Sequence, residues 1–166
     1  MKLEIRNAKY KDINTILEIL NYQILNSTAV YDYSLKTLEQ QQLWFEKKIS
    51  NNMPVIVAEI NESVVGFGSF DIFRPWEAYQ FSVEHSIYVK EDQQGKGIGK
   101  KLLEQLINIA KKQKYNTMIA GIDASNKNSI EFHEKFGFVE VGTIKKVGYK
   151  FNKWLDLSFL QLMLNN

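Results

Sequence analysis

The 166-residue chain contains no cysteine. That absence excludes disulfide frameworks, cysteine-ligated zinc, iron–sulfur clusters, thiol proteases and any mechanism that parks an acyl group on a thiol. Only two prolines occur, Pro54 and Pro75. No internal repeat, low-complexity segment or Gly/Ser-rich stretch reads as a linker, so the pattern predicts one domain over residues 1–166. No apolar run is long enough to span a bilayer, and the opening MKLEIRNAKY carries no cleavable secretory pattern. The expectation is a cytoplasmic protein without a membrane partner. Charge of one sign is also scarce: 21 Lys+Arg against 19 Asp+Glu leave a formal +2, too little to predict a nucleic-acid partner. His85 and His133 lack carboxylates at ligand spacing, so no metal is expected. What remains is ordinary globular material, 45% hydrophobic and 13% aromatic, sufficient for a core without staples.

The hydrophobic period predicts the elements. Lys2 to Asn7 alternates like a short strand. Lys11 to Leu25 carries Ile13, Ile16, Leu17, Leu20 and Ile24 as one helical stripe. Thr37 to Ile49 is a weaker helix, expected to face inward through Leu38, Leu43 (or Trp44) and Phe45. Val55–Ile60 and Val64–Phe73 read as strands joined by a turn at Asn61, Glu62 and Ser63. Phe81–Val89 is a further strand, with Phe81, Val83, Ile87 and Val89 among its odd positions. Ile98, Leu102, Leu103, Leu106, Ile107 and Ala110 mark the strongest amphipathic helix. Thr117–Ile122 follows as a strand and Asn128–Phe136 as a short helix. Val139–Lys150 and Trp154–Leu164 close the chain as strands. This order predicts an α/β layered domain with a mixed, mostly antiparallel sheet and one parallel step, where the long helix carries strand 81–89 over to strand 117–122.

The segment Gln93-Gln94-Gly95-Lys96-Gly97-Ile98-Gly99-Lys100-Lys101 lies between a strand and that helix. Glycines at a helix start let backbone N–H groups converge on an anion, and the helix dipole adds partial positive charge. Lys96, Lys100 and Lys101 make this the basic locality of a nearly neutral chain. A nucleotide P-loop needs G-x-x-x-x-G-K-[ST], a spacing that is absent here. A dinucleotide loop needs G-x-G-x-x-G, but the third glycine falls at Gly99 and position 100 is Lys. Asp123, after the next strand, keeps that alternative open as a ribose-binding acid. The third pattern is Q-x-x-G-x-G, at Gln94, Gly97 and Gly99. A glycine turn that binds nothing is the plain alternative.

On this last pattern and its strand–loop–helix–strand context, the chain resembles the GNAT superfamily of acyl-CoA-dependent N-acetyltransferases. "EHSIYV", "NSIEFHEKFGF" and the tail "VGYKFNKWLDLSFLQLML" narrow the resemblance to the phosphinothricin N-acetyltransferase branch. So do Arg6 after the first strand, Asp12, and Asn26-Ser27-Thr28 ahead of Tyr31. The resemblance implies a three-layer fold with helices on both sheet faces, acetyl-CoA as cosubstrate, and a homodimer. It implies that Gln94, Gly95, Lys96, Gly97, Ile98, Gly99 and Lys100 hold the pyrophosphate. It also implies that Ile87, Tyr88 and Val89 bond the thioester and pantetheine arm through backbone groups, and that Asn126 bonds a pantetheine amide. Lys135 is a weaker cofactor candidate. Asn126 fits equally as a helix N-cap.

Moving an acetyl group onto an amine requires a base, because a free amine is mostly protonated near neutral pH. Glu84, on the strand leading to the glycine loop, is the candidate; a salt-bridged strand carboxylate is its plain role. A backbone N–H aimed at the thioester carbonyl stabilises the developing oxyanion. His133 stands where many superfamily members place a tyrosine acid, and a catalytic and a structural role are equally open. Tyr88 and Tyr149 are spare hydroxyls. Arg74, between Phe73 and Trp76, is placed to clamp a carboxylate, although an exposed loop arginine fits as well. By resemblance, Glu84, His85 and Ser86 line the same acceptor pocket, closed by Thr28 and Tyr31. Lys150, Phe151, Trp154 and Asp156 are expected in hairpin packing and dimer contacts. The expected activity is acetyl-CoA-dependent N-acetylation of a small amino acid or analogue such as phosphinothricin, methionine sulfoximine or methionine sulfone. A peptide or protein N-terminal acetyltransferase and a non-catalytic acyl-CoA sensor are the alternatives.

Overall fold

The computed structural model describes residues 2–164. Seven strands form one sheet in the order β1-β2-β3-β4-β5-β7-β6. They are β1 (Leu3–Asn7), β2 (Val55–Ile60), β3 (Ser63–Ile72), β4 (Ser82–Val89), β5 (Thr117–Asp123), β6 (Val139–Lys150) and β7 (Lys153–Met163). The helices are α1 (Ile13–Asn26), α2 (Leu38–Ser50), α3 (Ile98–Lys112) and α4 (Lys127–Glu134). All neighbouring pairs are antiparallel except β4 with β5, the parallel step that α3 connects. The expected element order and mixed sheet are therefore present.

Strand alternation sends side chains to two faces. On one, Val83, Met118, Ala120, Ile122 and Leu160 pack against Ile98, Leu102, Leu103 and Leu106 of α3 and Ile130 of α4. On the other, Val55, Val57 and Phe67 pack against Ile13, Ile16 and Ile19 of α1 and Phe45 of α2. These are the three layers. Among the described residues, no helix is long and apolar enough to cross a membrane.

Arg6 lies within β1 rather than after it. Its guanidinium bridges Asp12 at 2.7 Å and Glu59 at 2.5 Å, tying β1, β2 and the start of α1 together. Burial works against the Asp12 charge, but Arg6 and the Lys9 N–H outweigh it and hold the carboxyl below its ordinary range.

Three expectations are corrected. Phe81 falls outside β4 and is exposed. Helix α4 stops at Glu134, two residues early, and Gly137 follows with positive φ. In α2 the residues turned inward are Gln41, Phe45 and Lys48, while Leu38 and Leu43 face solvent. Phe45 and the half-buried Trp44 are the parts of that expectation that hold.

Candidate active site

The chemistry collects where β4 and β5 part. Their pairing spans three positions, Ser82 with Thr117, Val83 with Met118 and Glu84 with Ile119, and then stops. Beyond Glu84, β4 stays bonded to β3 as far as Val89, and β5 stays bonded to β7 as far as Asp123. The facing edges of the two strands thus form a fork with no strand between them.

A cleft of about 980 Å³ opens at the mouth of this fork. Ile87, Tyr88, Val89, Gln94, Gly95, Gly97, Ile98, Gly99, Lys100, Asn126 and Lys135 all line it. Gly97 caps α3 with φ of +77°, a left-handed conformation that glycine adopts without strain, and its Cβ position is open. The first turn of α3 therefore presents bare N–H groups to the cleft, a cradle suited to phosphate. Lys96 is not among the lining residues; its ammonium donates to Asp92 O and Gln93 Oε1, both at 3.0 Å. Lys101 also lies outside the lining and approaches Glu104 at 3.6 Å. The sequence did not point to Phe132, Phe136 and Ser129, which supply the α4 side of the cleft.

Asn126 caps α4 through Oδ1, which accepts from the Ser129 N–H at 3.1 Å. Its NH₂ remains a donor on the cleft wall, so capping and ligand binding are compatible.

Inside the fork lies a smaller cavity of about 170 Å³, lined by residues 85–88 of β4, 120–123 of β5, and Thr28, Ala29, Asn126, Ser129, Phe132 and His133. It shares Ala29, Ile87, Tyr88, Asn126, Ser129 and Phe132 with the cleft. Thr28 Oγ1 donates to Asp123 Oδ2 at 2.6 Å, and Lys150 Nζ donates to the carbonyls of Ser27 at 2.8 Å and Val30 at 2.6 Å. These bonds fix segment 27–30 as the fork's outer wall. Lys150 is buried in this intrachain role; Phe151 and Trp154 of the tail motif are exposed. Tyr31 is exposed and does not line the fork. Tyr149 packs on Trp154, with ring centroids 5.1 Å apart, away from the fork.

His85 and His133 are both buried here, with Nε2 atoms 3.1 Å apart and rings stacked at 5.1 Å. His133 Nδ1 is 2.6 Å from the Ser129 carbonyl. Burial, with His133 adding to it, pushes His85 down to about 3. Burial also lowers His133, against the opposing bond to Ser129.

Glu84 sits at the root of the fork on the other sheet face, because successive strand residues alternate. Glu84 and His85 consequently share no cavity, which corrects the expectation of a common pocket. Glu84, Ser86 and Tyr88 line a third cavity of about 260 Å³, beneath α1 and α2. Ser86 and Tyr88 also border the fork cavity, so these two residues form a wall common to both spaces. Burial raises the Glu84 carboxyl above its ordinary range, and Arg74 counters part of that rise. Arg74 itself lies over the Phe73 ring at 4.2 Å and donates to the Phe73 carbonyl at 3.0 Å. It lines none of the three cavities. Burial likewise raises the Tyr88 hydroxyl. Among the described residues no group of three His, Cys, Asp or Glu converges as for a metal.

Bare N–H groups at a helix start, beside a parted sheet and a half-buried carboxylate, suit group transfer from a phosphate-bearing donor. The acetyltransferase (GNAT) family model matches residues 20–138, and the chain belongs to this family. It is 39% identical to the L-methionine sulfoximine/L-methionine sulfone acetyltransferase of Pseudomonas aeruginosa, over 99% of this chain and 96% of that one. A crystal structure of an N-acetyltransferase from Staphylococcus aureus shares 51% identity and a TM-score of 0.98, covering 99% of this chain and all of that one. A phosphinothricin acetyltransferase from Sinorhizobium meliloti, solved with AcCoA, gives 34% identity and a TM-score of 0.95, over 98% and 89% of the two chains. This protein is an acetyl-CoA-dependent N-acetyltransferase.

Proposed function

We propose that the enzyme acetylates the α-amino group of a small amino acid or an oxygenated analogue, of the methionine sulfone, methionine sulfoximine or phosphinothricin kind. The observation that carries this reading is three neighbouring spaces with shared walls: cleft and fork share Ile87 and Tyr88, fork and third cavity share Ser86 and Tyr88, and Glu84 borders the third cavity beside Gly121 of the fork. Acetyl-CoA supplies the activated acetyl group. The residues present fit it: the α3 N-terminus with Gln94, Gly95, Gly97, Ile98, Gly99 and Lys100 for phosphate, and Asn126 with the free edge of Ile87, Tyr88 and Val89 for amides. Glu84 takes the proton from the acceptor's ammonium, a task its raised pKa suits, and Arg74 offers a cation for the acceptor's carboxylate. Unpaired β4 N–H groups are the donors for a carbonyl oxygen gaining charge. With no cysteine in the chain, transfer runs directly from donor to amine. His133, held between His85 and Ser129, is assigned to the fork wall.

We further infer one catalytic domain over residues 1–166, working as a cytoplasmic homodimer. Edge strand β6 is exposed along most of its length and carries the exposed Val139, Val141, Ile144 and Val147, an apolar surface a second copy would cover.

Free thiol release from acetyl-CoA tests the reading, with methionine sulfone, methionine sulfoximine, phosphinothricin and a peptide panel as acceptors. Turnover of the amino acids and not the peptides is expected. Turnover restricted to peptides favours N-terminal acetylation, and cofactor binding without release favours a sensor.

A further inference from the structure

Helix α2 turns the wrong residues inward by hydrophobicity. Its buried face is Gln41, Phe45 and Lys48, spaced i, i+4 and i+7, while Leu43 and Ile49 are each 59% exposed. Burying an amide without a partner costs stability, so an apolar residue at position 41 would stabilise the fold. Gln41 is 3% exposed, and its Nε2 has no hydrogen-bond partner among the described residues. Both Gln41 and Lys48 line the third cavity, the one that Glu84 borders. Lys48 Nζ donates to the Phe70 carbonyl at 2.9 Å and pairs with Asp71, two of its three N–H groups. Leu20, Trp44, Phe67 and Tyr88 form the apolar part of the lining.

We propose that Gln41, backed by Lys48, is a specificity residue that donates a hydrogen bond to an oxygen at the far end of the acceptor's side chain. This rests on the reading of the third cavity as the acceptor site. The polarity of the lining dictates the ligand. The base, Glu84, takes the amine; the apolar wall takes a methylene chain; an amide N–H and an ammonium take an oxygen with lone pairs, such as that of a sulfone, sulfoximine or phosphinate. Arg74 is not part of this lining but acts electrostatically on Glu84, so the α-carboxylate belongs on that side. A site built to donate to a substrate oxygen discriminates against the analogue lacking it, because the buried donor is then left unpaired.

The test is the ratio of kcat/KM for methionine sulfone to that for methionine, which share the amine, the carboxylate and the chain length. Gln41→Met should lower this ratio about tenfold, the worth of one hydrogen bond to a neutral donor. An unchanged ratio, with both substrates losing equally or neither losing, would overturn the proposal, including the case in which Gln41 serves the carboxylate. Gln41→Glu reads the same ratio should Gln41→Met not fold, and it too must lower it. Thiol release by the wild type separates the two layers. No turnover of either amino acid would overturn the acceptor reading and the inference together, whereas turnover with an unmoved ratio overturns the inference alone.

Discussion

His85 and His133 meet Nε2 to Nε2 at 3.1 Å, and a third atom sets the direction of that bond. The Ser129 carbonyl, 2.6 Å from His133 Nδ1, can only accept, so Nδ1 carries the proton. Burial keeps the His133 ring neutral, which leaves Nε2 a lone pair. His85 must then donate from Nε2, and its own Nδ1 becomes the buried atom without a partner. In this arrangement His133 has no Nε2 proton to give to a departing thiolate.

The pair also makes folding sensitive to pH. His85 is lowered from 6.5 to about 3, so between those values the unfolded chain holds a proton that the folded chain does not. Stability is full above the unfolded value and is lost as pH falls through the window. His85→Leu should remove one group from that dependence, up to about 1.4 kcal/mol per pH unit. Urea midpoints from pH 8 to pH 5 should fall more steeply for the wild type than for the variant; parallel curves would contradict the assignment.

Glu84 should govern the acid limb of the rate profile. Because burial raises it, kcat/KM should decline at a pH above the ordinary carboxylate range. Glu84→Gln should cost about 10²-fold or more in kcat and flatten the limb. Arg74→Gln removes the cation that favours the carboxylate, so the limb should move to higher pH. A limb that stays in place in both variants assigns the base elsewhere.

Gly121 is the residue that leaves room for this carboxylate. A Cβ there would stand 2.9 Å from Glu84 Oε1. Because that oxygen ends a flexible side chain, Gly121→Ala should fold and displace the base. We expect kcat to fall toward a hundredfold, the order of loss for a misplaced catalytic group, with the KM for acetyl-CoA unchanged. An unaltered kcat would mean that the carboxylate position is not critical.

Gly97→Val tests the cradle. The added Cβ meets nothing in the fold, so the stability cost should be the left-handed backbone alone, about 1–2 kcal/mol. Acetyl-CoA affinity by titration calorimetry should drop well beyond that cost. Full affinity would place the phosphates elsewhere.

Most of the architecture was legible because it is periodic. The stripes of α1 and α3 and the alternation of the strands report burial at fixed intervals. The glycine-rich start of α3 was legible because its signal lies within nine consecutive residues, 93–101. The face of α2 was not, since Gln41 and Lys48 are inward for a reason that hydrophobicity cannot express. Pairing of His85 with His133 joins a strand to a helix on the far side of β5 in sequence, and no spacing encodes it. Lys150 was visible only as part of a tail motif, because the carbonyls it bonds belong to Ser27 and Val30. The fork itself is an absence of pairing between strands that each read as ordinary, so nothing in either strand announces it.

That fork leaves the sheet unfinished by design. Two strands in the middle of the molecule keep raw backbone edges, as an outer strand would, and on the proposed reading the amide groups of acetyl-CoA would complete the ladder between them. The cosubstrate would then serve as a temporary strand as well as a donor. The protein's melting temperature becomes a gauge of its acetyl-CoA supply, rising with the logarithm of concentration above Kd.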